Sequence, residues 1–185
     1  MTKRGLKWML AVLLFCGPAI ASAQQFSKDA LYSAAYNYQR EYKPVEAVKC
    51  LRTLLKMDST FVPAYNLLGY IYEDAFVNYD SALICYKKAI EIDSSYAKAY
   101  VNVGHIHFLR KEYQDALYWN EKAVEADSNY ADAYFNIGWI YNGRRELGQS
   151  LHYIKKAASK GSAAAREWML KSGYELPPIE TKEEE

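Results

Sequence analysis

Residues 97–107 read AKAYVNVGHIH, and the same pattern stands at 62–72 as VPAYNLLGYIY and at 131–141 as ADAYFNIGWIY. The three segments superpose without gaps. Gly69 and Gly104 are 35 residues apart, and Gly104 and Gly138 are 34 apart. A fixed period of this length marks a repeat array, in which each unit is one supersecondary piece. A second segment follows each of the first: YDSALICYKKAIEIDS from Tyr79, YQDALYWNEKAVEADS from Tyr113 and LGQSLHYIKKAASKGS from Leu147. One period upstream, DALYSAAYNYQ from Asp29 and PVEAVKCLRTLLKMDS from Pro44 fit the same frame. The frame gives four units, 28–61, 62–96, 97–130 and 131–164. The second is longer by one residue, placed in the turn Ala75–Asn78.

Each unit reads as a helix, a turn and a helix. Tyr100, Val103, Gly104 and His107 recur at i, i+3, i+4 and i+7, the stripe of an amphipathic helix. Ala116, Asn120 and Ala123 do the same in the second helix. Ala35, Gly69, Gly104 and Gly138 form one row of small residues, and Ala47, Ala82, Ala116 and Ser150 another. Small side chains let paired helices approach towards the low end of the ~8–10 Å axial range. The bulky rows Tyr65/Tyr100/Tyr134 and Leu68/Val103/Ile137 fill the space between units. A unit of about 34 residues buries too little surface to fold alone, so stacking makes the core. Asp58-Ser59, Asp93-Ser94 and Asp127-Ser128 close the second helices, and as good N-cap residues they are expected to start the next unit. Pro63 stands near a helix start, where its missing N–H costs little.

The period, the aromatic–x–x–aliphatic–Gly–x–x–aromatic first helix and the Ala–x–x–x–Tyr/Asn–x–x–Ala second helix resemble the tetratricopeptide repeat over about 28–164. The resemblance implies an all-α, right-handed superhelix of about four helical hairpins, with a concave groove that binds protein segments. There are departures. Ser59, Ser94 and Ser128 replace the family's common Pro, and Leu54 stands where later units have Ala. The last unit, with Ser150 and Ile154, runs into KKAASKGSAAAREWM and also resembles Sel1-like repeats. Ala163–Lys171 reads as a further helix that caps the array, within a cap 165–175, with Trp168 and Leu170 against the last unit. An acidic tail follows at 176–185, and its residues Ile179–Glu185 are expected to be disordered.

The start of the chain carries a different signal. Lys3, Arg4 and Lys7 precede the apolar run Trp8–Cys16, Gly17-Pro18 breaks it, and Ala21-Ser22-Ala23 offers small residues to a signal peptidase. This is the layout of a secretory signal peptide over 1–23, with the solenoid domain at 24–175. It implies a secreted or periplasmic protein of bacterial type. Alternatives are an uncleaved anchor or lipidation at Cys16, where bulky Phe15 fits poorly, and only these bring membrane contact. Loss of 1–23 removes three basic residues and no acid, so the net charge falls from +1 to −2. Neither value suits nucleic-acid binding. With 51% apolar and 24% charged residues, the composition excludes wholesale disorder and a collagen-like fibre.

The motifs of catalysis are missing. No G-x-x-x-x-G-K loop and no HExxH is present. His105 and His107 are two apart on a helix and face different ways, so no metal and no cofactor is expected. His107 reads as a packed core histidine and His105 as a contact residue. Cys50 and Cys85 occupy equivalent places in adjacent units, too far apart for a bridge, and are expected as half-buried thiols. A non-enzymatic protein is the expectation.

The binding candidates lie on the first helices, beside the core stripe. Lys98, His105 and Phe108 stand there in the third unit, Tyr32 and Tyr36 in the first, Tyr70 in the second, and Phe135 and Trp139 in the fourth. A strip that should be half solvated is thus aromatic, which suits contact with a peptide. Asn66, Asn102 and Asn136 accompany it, and the resemblance implies that asparagines at such places grip a bound backbone. A clamp for a terminal carboxylate is disfavoured, because Lys98 and Arg40 stand among Asp29, Glu73, Asp74 and Asp132. The leading expectation is an adaptor or scaffold in the bacterial envelope, with an unidentified protein or peptide partner. A structural lipoprotein or oligomer and a glycan-binding module are the alternatives.

Overall fold

The computed structural model describes residues 17–180, with side chains from Lys28 onward. Helices α1 (Gly17–Arg40), α2 (Pro44–Met57), α3 (Val62–Asp74), α4 (Tyr79–Ile92), α5 (Ala97–Leu109), α6 (Tyr113–Ala126), α7 (Ala131–Gly143), α8 (Leu147–Ser159) and α9 (Ala163–Lys171) follow one another, with no strand among the described residues. The architecture is an all-α helical solenoid built from paired helices. Among the described residues no helix is long and apolar enough to cross a membrane. Residues 1–16, including Cys16, lie outside the described residues, and cleavage after Ala23 would fall inside α1.

The chain divides into two compact units, the first ending at Ser59 and the second beginning at Thr60. In the first, α2 turns Ala47, Val48, Leu51 and Leu54 inward, and α1 contributes Ala35. Pro44 occupies the first turn of α2, where its ring is tolerated. Lys28 Nζ meets Asp58 Oδ2 at 2.7 Å, tying α1 to the end of α2.

In the second unit each helix packs on its chain neighbours, and α3, α5 and α7 also touch in succession. Its core is a chain of small clusters. Ala82 and Tyr86 of α4 meet Val103 and Ile106 of α5. Ala116 and Leu117 of α6 meet Ile137 and Ile140 of α7. Tyr134, Ile154, Ala157, Ala165 and Met169 join α7, α8 and α9. Every cluster spans adjacent helices, the nearest-neighbour arrangement of a repeat protein.

The glycine row sets the close pairings. A Cβ on Gly69 would lie 2.5 Å from Tyr86 Cε1, and one on Gly138 would lie 2.7 Å from Ile154 Cγ1. A Cβ on Gly104 would fall on Asn120 Nδ2 and reach 3.2 Å from the Ala116 carbonyl. The turns between paired helices recur as well. Tyr42, Val77, Lys111 and Arg145 each take a left-handed φ of 50–64°. The next backbone N–H then bonds back to Tyr38, Tyr72, His107 and Tyr141 respectively, a Schellman-type closure without its usual glycine. The turn 75–78 holds the extra residue.

Three expectations are corrected here. The Asp-Ser pairs are not N-caps. α3, α5 and α7 begin after Phe61, Tyr96 and Tyr130 without a side-chain cap, and the aspartates close the preceding turn instead. Asp93 Oδ1 accepts from the backbone N–H and hydroxyl of Ser95, and Asp127 Oδ1 accepts from the N–H of Asn129. In α9, Ala165 and Met169 face the core one turn apart, and Trp168 packs against the same cluster as expected, while Leu170 is exposed. The tail is ordered through Glu180. Arg166 Nη1 donates to the carbonyls of Ala158 and Pro177, Glu180 takes the Ser159 hydroxyl, and Leu176 packs on the terminal cluster.

Gly104→Ala is expected to destabilise the chain by ~1–3 kcal/mol through overpacking. Gly148→Ala, at a helical site with nothing within 4 Å, is expected to be neutral or stabilising by up to ~1 kcal/mol. Denaturant unfolding of both variants checks the contrast.

Candidate functional site

The first helices of the second unit carry the candidate face. Its order follows from the helical period, which sets positions 66, 70 and 73 of α3 beside 102, 105 and 108 of α5 and 135, 136 and 139 of α7. Tyr70 is 39% exposed and Trp139 37%. His105 and Lys98 are exposed, and Phe108, Phe135, Asn102 and Asn136 are half-buried. Asn66 departs from the half-solvated expectation, being 5% exposed. Its Oδ1 accepts from Asn102 Nδ2 at 2.8 Å, so these two amides tie α3 to α5. Tyr32 and Tyr36 lie in the first unit on α1. Tyr36 is exposed, and burial together with Tyr36 raises the Tyr32 phenol above its ordinary value.

The seam between α3 and α5 is closed by a polar relay. The Tyr86 hydroxyl donates to Glu73 Oε2 at 2.7 Å, and Glu73 Oε1 meets His105 Nδ1 at 2.6 Å. Tyr86 is fully buried, and burial with the Glu73 carboxylate pushes its phenol far above the usual range. Tyr130, at the start of α7, is pushed up to about 12 by burial and by Asp132.

The seam between α5 and α7 is open. A cavity of about 260 Å³ lies there, walled by Phe108, Phe135, Trp139 and Ile140. His105 and Asn136 stand at it, and Gly104 and Asn120 complete it. The ring of Phe135 meets Trp139 edge-on at 6.0 Å, and Phe108 leans on Tyr113 at 5.9 Å. Asn120 is 1% exposed; its Nδ2 donates to the Ala116 carbonyl at 2.8 Å, and its Oδ1 accepts no hydrogen bond. In the sequence Asn120 reads as one more member of the core stripe, and the cavity beside it is not apparent. The signal was available, since Asn120 stands where the neighbouring units have Tyr86 and Ile154.

The other candidates resolve as local structure. His107 is half-buried and bonds Glu112 Oε2 through Nδ1 at 2.6 Å, across the α5–α6 turn. With Asp115 these side chains bring ligand-type atoms within 4.8 Å of one another. Both carboxylates are exposed, and the histidine bond accounts for the grouping. Cys50 is half-buried and Cys85 is buried, as thiols.

Comparison with known proteins agrees with the helical-repeat fold. Residues 78–110, which are α4 and α5, match the family model described as TPR repeat. No curated protein matches the chain in sequence. The crystal structure of MamA is 24% identical with a TM-score of 0.61, covering 80% of this chain and 86% of that one. Pseudomonas aeruginosa pilF is 19% identical with a TM-score of 0.69, covering 82% and 71%. The first TPR of Spaghetti (RPAP3), solved bound to the HSP90 peptide SRMEEVD, is 19% identical with a TM-score of 0.57, covering 64% and 94%.

A pH effect follows from the raised phenols of Tyr86 and Tyr130. Both hold their protons more tightly folded than unfolded, so their stabilisation is complete below pH ~10 and is lost as pH rises towards the folded-state values. Tyr86→Phe is expected to cost ~1.5–3 kcal/mol at neutral pH, the range for a bond to a charged group. It should also flatten the alkaline fall in stability, as read by denaturant unfolding from pH 7 to 11. By its fold the chain is a TPR-type helical solenoid, with residues 78–110 matching the repeat itself.

Proposed function

We propose that the chain is a non-enzymatic adaptor of the bacterial envelope, binding a segment of a partner protein along the face of α3, α5 and α7. The observation that carries this is the exposure of Tyr70 and Trp139 on a face built by successive first helices. Exposed aromatics in a row on a soluble helical surface are typical of a contact surface. Tyr and Trp give a large contact area with few rotors to freeze. Lys98, His105, Asn102 and Asn136 supply polar groups beside them for a bound backbone. The TPR-type fold supports a scaffold role, and a peptide lies on the TPR of RPAP3. The envelope location rests on the basic, apolar and small-residue order of 1–23. Tyr32 and Tyr36 are proposed as further contacts carried by the first unit.

The test uses the full chain as bait in an envelope extract of the source cells, with Tyr70→Ala/Trp139→Ala as control. The expected result is a partner held by the parent chain and weakened at least about 30-fold in the double variant, with helicity unchanged. That factor corresponds to one lost hot spot of ~2 kcal/mol. Equal retention by both proteins overturns the binding face.

A further inference from the structure

We propose that the cavity between α5, α6 and α7 seats one aromatic side chain carrying a hydrogen-bond donor, a tyrosine phenol or a tryptophan indole, from the partner segment. The inference rests on reading this face as a protein-binding surface, and names what it recognises.

In the preceding seam the space beside Gly69 is filled by the ring of Tyr86, whose hydroxyl donates to Glu73. One period on, the glycine is Gly104, the ring position is Asn120 and the acceptor position is Phe108. An amide has replaced a phenol, and an aromatic wall has replaced a carboxylate. The cavity of about 260 Å³ is the room so released. An apolar cavity of ~150 Å³ already takes a benzene ring. The larger volume therefore admits a phenol or an indole, and it is small for a whole cofactor.

The chemistry of the lining selects among rings. Phe108, Phe135, Trp139 and Ile140 give apolar walls. Asn120 adds a single buried acceptor. The orientation of that amide is fixed from within, because the Ala116 carbonyl can only accept and so takes Nδ2. Oδ1 is left needing a donor. A buried acceptor without one carries the full penalty of its lost hydration, which a phenol O–H or an indole N–H recovers and a phenylalanine ring does not. A guanidinium would also donate, but no carboxylate lines the cavity, and a buried cation without a counter-charge is disfavoured. His105 and Trp139 are exposed, so the cavity opens on the face proposed for binding.

The test is an NMR titration of the full chain with N-acetyl-tyrosinamide, N-acetyl-tryptophanamide, N-acetyl-phenylalaninamide, N-acetyl-argininamide and N-acetylglucosamine. The side-chain resonances of Asn120 and Trp139 are followed. The tyrosine and tryptophan amides are expected to saturate and to bind about fivefold tighter than the phenylalanine amide, the worth of one neutral hydrogen bond. Asn120→Leu should erase that preference while keeping the room. Asn120→Tyr should fill the cavity as Tyr86 fills its own, and abolish binding of every ring. Equal binding of tyrosine and phenylalanine amides overturns the proposal, as does a preference that survives Asn120→Leu. Tighter binding of the arginine amide or the sugar overturns it too, and so does the absence of any saturable shift, the mark of a cavity that holds only water. The two readings fail differently. If a captured partner segment binds Asn120→Tyr as well as the parent chain but is lost by Tyr70→Ala, the cavity proposal falls and the binding face stands. If the amides behave as expected and Tyr70→Ala/Trp139→Ala still holds the partner, the face falls.

Discussion

Where α5 crosses α6, Gly104 carries no side chain, and the amide of Asn120 occupies the space a Cβ would need. The same crossing recurs at Gly69 against Tyr86 and at Gly138 against Ile154. This contact fixes how near the two helices of a pair can lie. It thereby fixes which residues of the next first helix can reach across. Val103 and Ile106 close over Tyr86 because α3 and α4 are already tight. Interiors of this density do not deform gradually, so the side chain opposite each glycine decides whether the seam beyond it is filled or open.

The consequence is a solenoid whose seams differ chemically although its backbone repeats. Between α3 and α5, polar groups do the closing: Asn66 with Asn102, and Tyr86 through Glu73 to His105. A chain of hydrogen bonds that starts from buried groups such as Tyr86 and Asn66 is stabilising only when those groups are satisfied, and here each has a partner. Between α5 and α7, Phe108 and Phe135 stand where the earlier seam has Glu73 and Val101, and the ring position is an amide. The first seam is a joint. The second has the shape and lining of a socket. The face of α3, α5 and α7 therefore combines a seam closed by polar groups with a seam left open, and the proposed seating of a partner segment rests on that contrast.

The solenoid was legible in the sequence because its two controls are periodic. The glycine row and the small-residue rows repeat at 34–35 residues, and each points to a helix crossing. The extra residue of the turn 75–78 could be placed because it breaks that register. What could not be read off was the use of groups with several possible partners. Asp93 and Asp127 suit a helix start as well as an Asx turn, and only the chain path chooses the latter. Asn66 lies on the same helical stripe as the binding candidates, yet its pairing with Asn102 draws it inside. The described part of the tail, 176–180, reads as solvated in the sequence because its tethers, Arg166 and Ser159, are remote and polar. The cavity depends on what is missing at Asn120, and a position that departs from its repeat shows its meaning only when the neighbouring walls are known.

A buried amide oxygen without a donor is a cost that an ordinary core position would not retain, since leucine or isoleucine would fit an apolar environment better. Ile154 is that ordinary solution one repeat later. A repeat array can tolerate such a weak point because its stability is a sum over seams, and tight contacts at Gly69 and Gly138 lie on either side of this one. Local conflict set inside otherwise consistent surroundings is where function is expected to reside. Here the conflict lies beside an aromatic strip, opens on the same face, and is relieved by a hydrogen-bond donor that enters the cavity.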